Sequence, residues 1–303
     1  MFKYEVTNQE KLNETIIQVV VFFDLFDFPV TAFELWHYLD KQIKLQDIIN
    51  VLEVAPEIES KNGLYLLAGR GELLKTRQAR HNYFLRKYKI AQRFVRYFSF
   101  LPFIKVITLS NSIGQFNLRD GSDIDIFIIT ARRRIWLTRL FCAGIAKILN
   151  RRPTPKNKKD KICLSFYISE ENLNLDNLQM ANGDPYFFFW LRSLVLLYNK
   201  DKVYEKFLVA NCLPLSEISA QSLDSVPAVK QKTAGLNKTF NYFERVAQKI
   251  QLIVMSPALK KAMNNSIGVV ISDNILKLYL HDKRLEYAEK YANRLRQIFE
   301  KNN

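Results

Sequence analysis

The sequence predicts an α+β protein in which a mixed-sheet core is flanked by a small N-terminal region of helices and a hairpin and by a C-terminal helical domain. Helical periodicity dominates both ends of the chain, whereas three short β-branched runs lie in its middle third. Hydrophobic residues make up 48% of the 303 residues, which is enough for sizeable cores. We therefore expect three domains, which span residues 1–85, 86–175 and 176–303.

The N-terminal region combines three helical patterns with a hairpin. Pro29 interrupts the chain after the first pattern, and Thr31 is well suited to cap the second helix. The predicted helices span residues 10–26, 31–39 and 44–54. Asn62-Gly63 lies between two extended runs and predicts a tight hairpin, because a type I′ turn requires positive φ at both central residues. Three helices followed by a β-ribbon resemble a winged helix.

A winged-helix-like domain has two interpretations here. Many such domains read duplex DNA with the third helix in the major groove. The third helix of this chain carries Lys44, Asp47 and Glu53, and two more glutamates follow it at positions 57 and 59. Phosphate contacts supply most of the affinity of a DNA reader. This nearly neutral or acidic surface therefore favours a packing or protein-contact module over duplex reading.

The predicted core alternates strands with helices. In chain order its elements are a helix over 72–100, strands over 104–109 and 123–129, a helix over 132–149 and a strand over 162–168. From about residue 184 the pattern is helical. Asp184 is predicted to cap one helix there, and Ser272-Asp273-Asn274 is predicted to cap another that begins at Ile275.

The chain is strongly basic, with 45 Lys and Arg residues against 30 Asp and Glu residues and a net charge of +15. Such an excess favours polyanionic partners such as nucleic acid or nucleotide phosphates. Basic residues are densest over 132–161, where Asp160 is the single acid. This segment could guide RNA or another polyanion to the core, or it could be a solvated helix and loop. The loop of this segment, over 150–161, lacks the interleaved aromatic residues that a membrane-surface role requires.

Composition argues against several other classes of protein. The chain has only 9 glycines and no glycine-rich motif of the Rossmann or P-loop type. Cys142, Cys163 and Cys212 lie far apart among apolar neighbours, which predicts buried reduced thiols without a metal or disulfide role. The three histidines are scattered, and we predict no metal or catalytic role for them. The apolar stretches at 16–23 and 187–191 are too short for a membrane span, so we expect a cytoplasmic protein.

Asp123 and Asp125 are the residues that point most clearly to chemistry. The strand period of two puts both carboxylates on one face and Ile124 on the other. Two neighbouring carboxylates repel each other, so burying them is costly unless a cation neutralises their charge. Mg²⁺ bound to a nucleotide commonly uses one or two protein carboxylates together with phosphate oxygens. The pair therefore predicts a magnesium site at the start of the second core strand.

The wider motif around these acids resembles a known signature. Leu109-Ser110-Asn111-Ser112 is followed after ten residues by Asp123-Ile124-Asp125-Ile126. This pattern is similar to that of the DNA polymerase β-like nucleotidyltransferase superfamily, in which a strand ends in a Gly-Ser or Gly-Gly turn and a loop leads to Asp-x-Asp. The resemblance covers residues 104–130. It implies an enzyme that transfers a nucleoside monophosphate from an NTP to an acceptor, with Mg²⁺ as cofactor.

The resemblance also implies roles for individual residues. Asp123 and Asp125 would be the catalytic acids and would ligate Mg²⁺. Ser112 would hold the triphosphate, together with backbone N–H groups of its turn. The further nucleotide-binding candidates are Ser110, Asn111 and Ser122. Arg119 is either a phosphate contact or a solvated loop arginine.

The chain departs from the superfamily pattern in two places. Asn111 stands where the superfamily usually has Gly, although Asn tolerates the left-handed backbone that such a turn needs. The superfamily also has a third carboxylate on a later strand, but Ser165 occupies the expected place, and Glu170 and Glu171 lie beyond the strand. Two hypotheses follow. The chain is an active nucleotidyltransferase in which another acid substitutes, or it is a degenerate regulatory or adaptor protein that binds nucleotide or nucleic acid.

Overall fold

The computed structural model describes residues 9–39, 42–110, 117–215, 237–264 and 267–300. These residues form helices and a mixed sheet, which confirms the predicted α+β class. The predicted long helix and the three predicted core strands are all present.

The N-terminal region forms the predicted three helices and hairpin. Its elements are α1 (Gln9–Asp24), α2 (Ala32–Tyr38), α3 (Leu45–Val54), β1 (Ile58–Lys61) and β2 (Leu64–Leu67). Thr31 caps α2 as predicted, because its hydroxyl accepts the Glu34 N–H at 3.1 Å and the Glu34 carboxylate accepts the Thr31 N–H at 2.8 Å. Asn62 and Gly63 form the hairpin turn with φ of 54° and 73°.

A six-stranded sheet forms the middle of the molecule. Its strands are β3 (Ile104–Leu109), β4 (Ile124–Thr130), β5 (Ile162–Ser169), β6 (Val195–Asn199), β7 (Val269–Ile271) and β8 (Ile275–Leu278). Their order is β6-β3-β4-β5-β8-β7. Among these described strands, β4 and β5 are parallel and every other neighbouring pair is antiparallel. The three strands of the predicted core are therefore adjacent near the centre of a mixed sheet.

Helices cover both faces of this sheet. They are α4 (Leu73–Phe98), α5 (Ile135–Ile148), α6 (Pro185–Arg192), α7 (Val203–Ala210), α8 (Asn237–Val254), α9 (Pro257–Ala262) and α10 (Arg284–Phe299), with a 3₁₀ turn at Asp176–Leu178. The side chains of β4 alternate between two hydrophobic cores. Ile124 and Ile126 join the core formed with α4 and α5, whereas Phe127 joins the core formed with α6 and α7.

The C-terminal region is less helical than the sequence predicts, because it supplies β6, β7 and β8 to the sheet. The helix predicted from Ile275 is wrong. Ile275 begins β8, and the preceding turn is closed by a backbone hydrogen bond of 2.8 Å from the Ser272 N–H to the Ile275 carbonyl. Ser, Asp and Asn stabilise hairpin turns as well as helix caps, and a strand as short as β8 shows no clear period. The division of the chain at 85 and 175 stays a prediction.

Helix α1 packs against the C-terminal elements. Phe22 is fully buried, and its ring stacks on that of Phe189 in α6 with centroids 3.9 Å apart. Tyr291 of α10 meets Phe22 edge-on and donates its hydroxyl proton to the Gln18 carbonyl at 3.2 Å. These contacts favour the packing interpretation of the N-terminal region. None of the helices in the described part of the chain has both the length and the apolar composition needed to cross a bilayer.

Candidate metal centre and adjoining cavity

Asp123 and Asp125 lie at the start of β4. Asp123 immediately precedes the strand, and Asp125 is its second residue. Because side chains alternate along a strand, both carboxylates share a face with Phe127. Both residues are half-buried. The structure thus brings the two acids together on one face, as the sequence pattern predicts.

Cys163 completes a cluster with these acids. One carboxylate oxygen each of Asp123 and Asp125 and the Sγ atom of Cys163 lie within 4.8 Å of one another. Cys163 pairs with Asp125 across the parallel strands β4 and β5. The next pair along is Phe127 with Phe166, so β5 contains one extra residue between the two pairs. This is a β-bulge, and it places the thiol beside the carboxylates.

The prediction that Ser165 occupies the third position of the site, next to the two acids, is wrong. The residue opposite Asp125 is Cys163, and Ser165 instead has its Oγ 3.0 Å from Cys163 Sγ. Glu170 lies at the far end of β4, where its N–H donates to the Thr130 carbonyl at 2.8 Å. In the described part of the chain, no third carboxylate joins the cluster.

The cysteines are not the uniform set of buried thiols that the sequence predicts. Cys142 is fully buried, Cys163 is half-buried and Cys212 is exposed. Burial raises the pKa of the Cys163 thiol well above its ordinary value, and the negative charge of Asp125 raises it further. The sequence contains no signal for a metal role of Cys163. Spacing rules concern cysteines close in the chain, whereas the partners of this thiol come from another strand.

Ser110 lies directly beside the acids. Its N–H donates to the Asp125 carbonyl at 3.0 Å. The residue is 2% exposed, and its hydroxyl has no hydrogen-bond partner within the described ranges. Ser110 and Asp125 line the same cavity. A buried hydroxyl without a partner costs about 1–3 kcal/mol, so this atom is a candidate ligand contact.

The other predicted nucleotide-binding residues are less informative. Asn111 and Ser112 lie outside the described residues. Ser122 precedes Asp123, and its hydroxyl donates to the Arg119 carbonyl at 3.0 Å. The proton of Ser122 is therefore used within the turn that leads into β4. Arg119 is exposed, as both of its interpretations require.

Lys87 of α4 anchors this turn from within the protein. Its side chain is fully buried. Its Nζ donates to the carbonyls of Asp120 and Ser122 at 3.2 and 2.5 Å and to the Asp160 carboxylate at 2.9 Å. One ammonium thus ties the loop before β4 to the loop before β5. Sequence reasoning missed Lys87, because nothing distinguishes it from the many other basic residues of its helix.

A cavity of about 250 Å³ adjoins the acids. Its polar groups include Ser110, Asp125 and His281, and the last of these has no role predicted from the sequence. Six of its thirteen lining residues are Phe, Tyr or Trp and come from β5, α6, α10 and the segment after β8: Phe166, Tyr186, Phe187, Trp190, Tyr279 and Tyr287. A concave site with apolar walls and a few polar groups is typical of small-molecule binding.

The surroundings of the cavity shift the pKa values of several ionisable side chains that line it. Burial raises the pKa of the Tyr186 and Tyr279 hydroxyls above their ordinary value, and the charge of Asp125 raises it further. Burial lowers the pKa of Lys277 to about 8, although its hydrogen bond of 2.8 Å to Asp282 opposes that shift. Lys283 and Arg284 also line the cavity, so it offers neutral phenol donors together with cations, of which Lys277 and Arg284 are both paired with Asp282.

The basic segment over 132–161 is partly used inside the fold. Arg132 forms an ion pair of 2.6 Å with Glu171, and Arg134 is buried and donates to Asn241 at 2.8 Å. The basic residues of this segment that remain exposed include Arg133, Lys147, Arg152, Lys156 and Lys158. The surface open to a polyanion is therefore smaller than the charge count of the sequence implies.

The donor set of the cluster fits a divalent cation. Atoms that share one tetrahedral ion at about 2.0–2.3 Å lie about 3.3–3.8 Å apart, so donor atoms within 4.8 Å of one another have to move inward by at most about 1.5 Å. Two carboxylates are ligands of the kind that Mg²⁺ uses, whereas a thiol is not.

No family model, curated protein or solved structure matches the chain. The residues and geometry of the cluster, together with the motif over 104–130, are therefore what indicates a function for this chain.

Proposed function

We propose that the chain is a nucleotidyltransferase that depends on a divalent cation and moves a nucleoside monophosphate from an NTP to an acceptor. The proposal depends on one observation: Asp123 and Asp125 present two carboxylates on one strand face, beside a partly aromatic cavity. Mg²⁺ is the cation that the resemblance to polymerase-β-like enzymes implies for such a pair.

Each part of the cluster has a defined task in this proposal. Asp123 and Asp125 hold the cation, which supplies charge neutralisation at the phosphates when it is bound. The buried hydroxyl of Ser110 donates a hydrogen bond to a phosphate oxygen, which gives it the partner that it lacks among the described residues. Lys87 holds the loop that precedes Asp123 in place.

The aromatic walls of the cavity and the exposed basic residues are suited to binding the two substrates. Phe166 stacks on Trp190 at 5.4 Å and Tyr186 stacks on Tyr287 at 5.6 Å, so rigid ring faces are available to a planar group. Such walls also keep water away from the phosphates. The basic residues that remain exposed over 132–161 support a polyanionic acceptor such as RNA.

A second function is favoured by one specific feature. Cys163 lies where a third carboxylate would be needed to take the proton of the acceptor hydroxyl. A site with this substitution would bind nucleotide without transferring it. The second candidate is therefore a degenerate nucleotidyltransferase that acts as a nucleotide- or nucleic-acid-binding regulatory or adaptor protein.

A thermal-shift experiment tests the binding that both candidates share. The wild type and Asp123→Asn/Asp125→Asn are melted with each NTP, with and without Mg²⁺. Ligand at 100 times Kd stabilises by about 2.7 kcal/mol, so we expect a Mg²⁺-dependent rise in Tm for the wild type that the double variant lacks. Glu53→Gln/Glu289→Gln removes two exposed acids and is the matched control. Equal responses of the wild type and the double variant would refute the site.

A transfer assay then separates the two candidates. Labelled NTPs are incubated with RNA, protein and small hydroxyl acceptors in the presence of Mg²⁺ or Mn²⁺. Label transfer that disappears in Asp125→Asn supports the enzyme. Nucleotide binding without transfer to any acceptor class supports the regulatory protein.

A further inference from the structure

The third member of the acidic cluster is a sulfur ligand, and this has a consequence for the identity of the cation. Carboxylate and water oxygens suit Mg²⁺, whereas thiolates select softer ions such as Zn²⁺, Co²⁺ and Cd²⁺. The Cys163 thiol is hydrogen-bonded to Asp125 and lies with both acids inside a 4.8 Å cluster. Any cation held by the two carboxylates therefore lies within reach of a sulfur atom.

An independent feature beside the cluster also points to a ligand. The Ser110 hydroxyl is buried and has no partner among the described residues, and Ser110 lines the cavity together with Asp125. Asp123, Asp125 and Cys163 supply three donor atoms from the protein. Three protein ligands and one open position next to a cavity is the arrangement that catalytic zinc sites use.

The backbone of β5 explains why the Cys163 thiol lies beside the two carboxylates. The extra residue in β5 between Cys163 and Phe166 re-aims the strand at the level of Asp125. Ser165 then lies 3.0 Å from the sulfur and forms a hydrogen bond with it. Partners of this kind orient metal ligands and tune their basicity.

We propose that Asp123, Asp125 and Cys163 form a three-ligand site for a thiophilic divalent cation of the zinc class, and that Cys163 makes this cation bind more tightly than Mg²⁺. The inference rests on the cation site of the proposed function and identifies the ion that it selects. Cation binding releases the thiol proton to solvent as the metal–sulfur bond forms.

Optical titration of the full chain tests this inference directly. Cobalt(II) and cadmium(II) bound to a thiolate give sulfur-to-metal charge-transfer absorption, which carboxylates do not produce. We expect a band that saturates at about one equivalent, in line with a single site. The band should be absent from Cys163→Ser and retained in Cys212→Ser, which removes an exposed thiol and is the matched control.

Competition experiments measure the selectivity. We expect Cys163→Ser to lower Zn²⁺ affinity at least tenfold, since loss of even an outer partner costs about 10- to 100-fold. Cys163→Asp should abolish the band and raise Mg²⁺ affinity. Each variant is melted without metal, so that loss of the band through unfolding is recognised. Asp125→Asn keeps the thiol and must also weaken cobalt binding.

The possible outcomes separate this inference from the proposed function. A missing band in the wild type, a band that survives in Cys163→Ser, or unchanged Zn²⁺ affinity in that variant overturns the inference. The Mg²⁺-dependent response to NTPs can still stand in each of those cases. A band that depends on Cys163 and Asp125 supports the inference even if no NTP raises the Tm.

Discussion

We expect the ammonium of Lys87 to be the main stabilising contact of the two loops that precede β4 and β5 and position the acidic cluster. Lys87 and Arg86 are neighbours on α4, and both contact the Asp160 carboxylate, at 2.9 and 3.1 Å. Lys87 is fully buried, whereas the Arg86 side chain is 38% exposed. Lys87→Met and Arg86→Met therefore remove one contact each from the same acid in different surroundings, which makes them a matched pair.

The two variants should lose different amounts of unfolding free energy, because solvent screens the ion pair of Arg86 and not that of Lys87. Removing one partner of a buried pair costs about 3–5 kcal/mol, because the other charge is left uncompensated. Asp160 is 17% exposed and would keep Arg86, so we expect the lower end, about 3 kcal/mol, for Lys87→Met. Exposed pairs contribute about 0–1 kcal/mol, and this is the loss that we expect for Arg86→Met.

Urea unfolding followed by tryptophan fluorescence and circular dichroism measures both losses. Lys87→Met should also weaken cation binding to the cluster, because the Ser122 carbonyl that Lys87 holds directly precedes Asp123. If the two variants lose the same free energy of unfolding, or if Lys87→Met leaves cation affinity unchanged, the assignment of Lys87 as an anchor is refuted.

Two further predictions concern the cores. Burial raises the pKa of the Cys142 thiol well above its ordinary value of 9.0, so the folded chain keeps a proton that the unfolded chain loses in alkali. The stability that the protonated thiol contributes is therefore fully present below about pH 9 and is lost as the pH rises above it. The fall in the free energy of unfolding between pH 8 and pH 10 should be about 1 kcal/mol smaller in Cys142→Ala. Equal falls measured by urea unfolding would contradict this prediction. Phe189→Ala should cost about 3–5 kcal/mol, because Phe189 is fully buried and stacks on Phe22. Phe33→Ala, at a residue 57% exposed, is the control and should cost less than about 0.5 kcal/mol; a similar loss in both would count against the stacking argument.

The parts of the fold that sequence reasoning predicts correctly depend on interactions between near neighbours. The Thr31 cap joins residues three apart, and the Asn62-Gly63 turn depends on the φ preferences of two adjacent residues. The pairing of Asp123 with Asp125 follows from the period of a single strand. Each of these signals is contained within a few consecutive residues, so a single sequence is enough to predict the structure that it forms.

The features missed by the sequence prediction depend on pairs that lie far apart in the chain. β8 is a strand because it pairs with β5, more than 100 residues earlier, and its own composition does not require it. Lys87 matters because two loops more than 30 residues later place carbonyls and a carboxylate around it. No local pattern encodes such contacts, and their residues resemble ordinary members of a helix or a short strand.

Cys163 shows how this limit affects chemistry as well as fold. Regular pairing continued back from Phe127 and Phe166 would put Leu164 opposite Asp125, and the extra residue in β5 puts Cys163 there instead. A single inserted residue therefore determines whether the side chain opposite Asp125 is an apolar leucine or a thiol. It also determines whether the site is expected to prefer a hard or a soft cation. The ion preference of this cluster is for that reason the property that most directly tests the register of β4 and β5.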